Sequence, residues 1–146
     1  MILLDYVATT CPLGCGFSPM QILQLFSTAF LAVLFLQSGL DKVFDWKGNL
    51  EWLKGHFADS PLGGMVPVLL GVITVVEVAA GAFSAIGVIA ILMGGSVCFG
   101  FIGATLSAVA LLMLFLGQRL AKDYAGAGGL VPYFILTLIT MYLLVA

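Results

Sequence analysis

Charge is what this chain has least of. Of its 146 residues, 8% are Asp, Glu, Lys or Arg, against about 25% in an ordinary soluble domain. A small water-soluble domain exposes much of its surface and cannot dispense with charge. With 62% hydrophobic residues and a mean hydropathy of +1.22, the solvent for this chain is the bilayer. Only five residues are basic and the net charge is −2, which excludes the cationic face that nucleic-acid binding needs. Histidine occurs once, as His56, so a bis-histidine haem does not fit within one chain. Three cysteines fall short of the roughly four ligands of an iron–sulfur cluster, and no metal site is expected. A Ser-His-Asp triad would have to use His56, and no nucleophile motif surrounds it. The glycine-rich stretches lack the Lys and the strand context of a phosphate cradle. Residues 1–6 carry no basic n-region, so the first apolar span is expected to be retained and to do the targeting itself.

What the chain does have is long apolar runs. A membrane span needs about 20 such residues, and the first covers about residues 20–40. Residues 66–116 carry one charge, Glu77. That run is too long for one span and suits two. The turn is expected at Gly94-Gly95-Ser96, because paired glycine breaks a helix cheaply, with Gly87 the weaker alternative. The spacing predicts four helices, at about 20–40, 66–93, 97–117 and 130–146, behind an N-terminal segment 1–19. The expected fold is all-α, a four-helix transmembrane bundle.

Lys42, Lys47 and Lys54 lie in the first connection, and Arg119 and Lys122 in the third; no other basic residue exists. The positive-inside rule puts both connections in the cytoplasm and both termini, with segment 1–19, outside. Residues 41–57 mix charges of both signs with Phe44, Leu50, Leu53, Phe57, Trp46 and Trp52. This composition predicts a short amphipathic helix on the membrane surface, between the first two spans. Anchoring and partner docking are both open to it. Gly63-Gly64-Met65-Val66-Pro67 is echoed by Gly128-Gly129-Leu130-Val131-Pro132. Either a helical hairpin has been duplicated, or both stretches mark helix starts, where Pro gives up no hydrogen bond.

Glu77 is the main candidate for chemistry. Eleven residues into its span, it lies about 16 Å deep at 1.5 Å per residue. An acid at that depth is expensive and faces protein or water. Thr105, Ser107, Thr137 and Thr140 are expected at similar depth, and no cation is. Desolvation without a cation favours the neutral acid. Two roles remain open: a proton-handling group or hydrogen-bond anchor for a quinone-like ligand, or a packing contact to Thr or a backbone carbonyl. Cys11 and Cys15 frame Cys-Pro-Leu-Gly-Cys, a spacing unlike the C-x2-C of redox or zinc pairs. A loop disulfide, free thiols and a redox pair are all open to them, and Cys98 is expected on the same face. His56 is expected to be an ordinary loop residue at the membrane surface.

Several short motifs occur in a telling order: Ser38-Gly39-Leu40-Asp41-Lys42, an amphipathic loop of roughly twenty residues, Glu77 followed four positions on by Gly81, and Gln118-Arg119-Leu120-Ala121-Lys122-Asp123-Tyr124. In this the chain resembles the DoxX-like family of small four-helix bacterial inner-membrane proteins, over about residues 20–146. The positions that carry the resemblance are Gly39, Lys42, Glu77 and Gly81. The resemblance implies membrane redox work, either as the small subunit type of thiosulfate:quinone oxidoreductase or within thiol and oxidative-stress complexes. Cys11 and Cys15 fall outside it.

Three functions follow as expectations. The first is a small inner-membrane subunit, not catalytic alone, that anchors or completes a larger redox assembly among lipids and other membrane subunits. The second is a quinone-linked thiol or thiosulfate oxidoreductase component. The third is a small proton-coupled transporter.

Overall fold

A computed structural model describes residues 16–146. Cys11 and Cys15, with the disulfide considered for them, lie outside the described residues. Within them the chain forms five helices: α1 Pro19–Phe44, α2 Trp46–His56, α3 Val66–Leu92, α4 Cys98–Leu120 and α5 Tyr124–Val145. Helices α1, α3, α4 and α5 are each long and apolar enough to cross a membrane. At most a third of the most apolar stretch of each is buried inside the protein. The rest faces outward and is greasy: Phe26 is 72% exposed, Val33 67% and Val75 69%. Such a surface is unstable in water and at home in lipid. The chain is a small multi-pass membrane protein, a four-helix bundle as the sequence predicts.

Helix α1 packs along α3, α3 along α4, and α4 along α5, with lighter contacts from α1 to α4 and α5 closing the ring. The core is built from Leu31, Phe35, Leu70, Ala80, Ala104 and Leu111, with small residues wherever helices touch most closely. Lipid gives helices no hydrophobic reason to associate, so close backbone approach and van der Waals contact must supply it.

Helix ends follow local rules. Ser18 opens α1 with a reciprocal capping box to Gln21. At the end of α3 the Gly95 N–H reaches the Ala90 carbonyl at 2.8 Å and the Gly94 N–H reaches that of Ile91 at 3.0 Å, while Gly94 sits at φ +68°. This is a Schellman stop, placed where the sequence predicts the turn. The end of α4 repeats it: Asp123 N–H to Gln118 O at 2.9 Å and Lys122 N–H to Arg119 O at 3.2 Å. Here Lys122, at φ 59°, holds the left-handed position that glycine usually takes.

Two boundaries differ from the sequence reading. Helix α5 starts at Tyr124, not near residue 130, because the Asp123 side chain accepts from Gly126 N–H at 2.9 Å and caps it. Pro132 therefore lies inside α5, whereas Pro67 sits in the first turn of α3. The two Gly-Gly-x-Val-Pro stretches are not structurally equivalent. Helix α1 continues to Phe44, four residues past Leu40, which brings Lys42 into the bundle.

Candidate functional site

Two glycines set the position of α1 against α3. A Cβ on Gly39 would stand 2.7 Å from Val78 Cγ2 and 3.0 Å from the Val78 backbone nitrogen. A Cβ on Gly81 would stand 2.5 Å from the Leu36 backbone nitrogen. Neither position has room for a side chain, so the two backbones nearly touch. The pairing of Gly39 with Val78 and of Leu36 with Gly81 defines an antiparallel register. In that register the last turns of α1 lie beside the middle of α3, bringing Ser38 and Lys42 to Glu77.

The result is a closed polar network. Lys42 Nζ lies 2.7 Å from Glu77 Oε2. The Ser38 hydroxyl donates to Glu77 Oε1 at 3.1 Å. Lys42 Nζ also donates to Ser38 Oγ at 2.9 Å and to the Ser38 carbonyl at 3.1 Å. Glu77 is completely buried, and the Lys42 side chain is 16% exposed. The pair is thus almost fully withdrawn from solvent, where partners must be matched if burial is to be tolerated.

This overturns the expectation that no cation reaches Glu77. The span expected at about 20–40 stops short of Lys42 and leaves it in the first connection. The glycine register slides α1 inward. In place of a neutral acid with no cation near it, Glu77 is paired with Lys42. The expected hydroxyl partners serve their own helices instead: Thr105 donates to Phe101 O, Ser107 to Gly103 O, Thr137 to Tyr133 O and Thr140 to Leu136 O, each at 2.8–2.9 Å.

A cleft of about 390 Å³ opens beside this network. Its walls are mainly apolar, with Leu53, Leu70, Ile73 and Met113 among them, and its polar lining is Lys42, Asn49, His56 and Gln118. Lys42 therefore touches the cleft on one side and Glu77 on the other. Helix α2 forms one wall. It has no buried residue of its own and is held at both ends: Trp46 lies over Gly71 on α3, and Phe57 over Gly117 on α4.

His56 is not the plain loop residue the sequence suggests. Its Nε2 lies 2.9 Å from Gln118 Oε1 and 3.7 Å from Asp123 Oδ2. Its ring stacks on Trp52 at 4.8 Å and meets Phe57 edge-on at 5.1 Å. The imidazole joins α2 to the α4–α5 turn, across the cleft's polar rim. Trp52 and His56 are four apart on one helix, a spacing that places them on one face, so this half of the arrangement has a sequence signal. The contact to Gln118 spans 62 positions and has none. Beside it Arg119 stacks over Tyr124 at 4.7 Å.

The site thus offers an ammonium backed by a buried carboxylate at one place, an imidazole and an amide at another, and apolar walls between. Its size falls within the range of small-molecule sites. It suits a ligand with an oxygen-bearing head and a greasy remainder. Among the described residues, no three His, Cys, Asp or Glu side chains cluster as a metal would require. Comparison of the chain with family models, with curated proteins and with solved structures finds no match.

Proposed function

We propose that this protein is a small membrane component that binds the ring of a quinone-class amphiphile in the cleft beside Lys42, and that it works within a larger redox assembly of the bacterial inner membrane. The observation that carries the reading is Lys42, which lines an apolar-walled cleft while paired to buried Glu77. An ammonium donates hydrogen bonds to a ring oxygen. When the ring is reduced, Lys42 can pass a proton from its ammonium to that oxygen, and the net charge of the Lys42–Glu77 pair then falls by one. Apolar walls take the ring face and the start of the tail. Gly39, Lys42, Glu77 and Gly81, the positions of the DoxX-like resemblance, meet at one helix contact, two of them small for packing and two charged.

Trp52 lines the cleft and provides the readout. Titrating a decyl-chain benzoquinone into the purified protein is expected to quench tryptophan fluorescence saturably. Lys42→Met should weaken binding by about tenfold or more, the scale of a lost hydrogen bond to a charged group. Quenching that rises linearly with quinone and is identical in both proteins would refute the reading.

A further inference from the structure

Lys42 holds one end of the ligand in the reading above; the cleft has a second polar place, and it differs in kind. His56 Nε2 faces two acceptors, Gln118 Oε1 at 2.9 Å and Asp123 Oδ2 at 3.7 Å. A carboxylate oxygen has no proton to give when ionised, so this side of the ring favours N–H at Nε2. In the neutral ring that leaves Nδ1 with a lone pair, and among the described residues Nδ1 makes no hydrogen bond. The ring itself is fixed by its stack on Trp52 and its edge contact with Phe57, and it lines the cleft. Its charged neighbour is Asp123 from the α4–α5 turn, and Lys42 lines the same cleft.

We infer that His56 is the second ligand contact of the cleft and selects the reduced, hydroxyl-bearing form of the ring; the inference rests on the quinone reading. Lys42 does not discriminate, because carbonyl and hydroxyl oxygens both accept from an ammonium. Nδ1 does. Its lone pair accepts from a quinol O–H but opposes the lone pairs of a quinone carbonyl. Gln118 and Asp123 act as positioning residues: they hold the proton on Nε2 and so keep Nδ1 an acceptor. A site that rejects a partner lacking the required proton discriminates strongly, because a buried polar group is left unpaired.

The test compares reduced and oxidised decyl-benzoquinone by calorimetry, under argon and in mildly alkaline buffer, on the full chain in detergent. The intact protein is expected to prefer the reduced form by about tenfold or more. His56→Asn places an acceptor oxygen near the Nδ1 position and removes the Nε2 anchor; it should keep the preference. His56→Gln keeps a group near Nε2 and removes Nδ1; it should lose the preference. Equal affinity for the two forms in the intact protein, or a preference that survives in His56→Gln and vanishes in His56→Asn, would overturn the inference and make His56 a structural latch. If neither form binds the intact protein, the cleft reading itself fails.

Discussion

At the scale of single residues, the Lys42–Glu77 pair sets both cost and chemistry. Its two members are not equally replaceable. Glu77 is completely buried, while Lys42 retains 16% exposure and a flexible stem beside the cleft. Lys42→Met leaves the acid with only the Ser38 hydroxyl and is expected to destabilise the protein by about 3–5 kcal/mol, the usual effect of orphaning a buried charge. Glu77→Gln should cost less, because the ammonium can turn toward the cleft and the amide still accepts from Ser38. The double change Lys42→Met with Glu77→Gln removes both charges and should recover much of the loss. Thermal melts in detergent check the order: intact, then the double and Glu77→Gln, with Lys42→Met lowest. Additive losses in the double variant would show that the two groups do not act as a pair.

At the scale of elements, the α1–α3 contact is the device that makes the site. Gly39→Leu inserts a side chain against the Val78 backbone and must push the helices apart. The expected effect is a loss of about 1–3 kcal/mol from overpacking, along with loss of quinone-dependent quenching as Lys42 leaves Glu77. Gly128→Leu is the control, since a Cβ there meets nothing within 4 Å, and it should leave both readouts unchanged. This contact also explains what the sequence could and could not reveal. Existence of the four spans was legible, because apolar runs and a Gly-Gly turn are local signals. Depth was not: the position of Lys42 relative to Glu77 depends on glycine contacts between residues about forty positions apart, and no local pattern encodes a register. The start of α5 was missed because Tyr-Ala-Gly-Ala-Gly-Gly is a poor helix former, although Asp123 was present as a capping signal. Glu77 stands out in the sequence by its isolation. The contact of His56 was not legible because its partner Gln118 belongs to another helix.

At the scale of the whole molecule, the charges define a direction. Lys42, Lys47, Lys54, Arg119 and Lys122 all lie toward the end where α2 and the α4–α5 turn meet. From the positive-inside rule we propose that this end faces the cytoplasm. A reporter enzyme active only outside the cytoplasm, fused after Ala146, is expected to be active; the same reporter inserted at Gly64 in the α2–α3 connection should be silent. The reverse pattern would invert the bundle and place the cleft on the outer leaflet.

The Asp, Glu, Lys, Arg and His side chains among the described residues also share that end or reach toward it, and the opposite tips, around Pro19, Met93–Val97 and Val145, carry none. Among the described residues, the charged side chains thus moor the bundle at one end. When bilayer thickness changes, helices adjust by tilting, sliding or local lipid deformation. Here the charged rim stays fixed at its own interface, and adjustment falls to the Met93–Val97 turn at the far end, which carries no charged side chain. The cleft belongs to the moored side. Its distance from the water on that side is thus buffered against variation in membrane thickness, and a hydrophobic carrier would meet the same ammonium at the same level in thin and thick membranes alike.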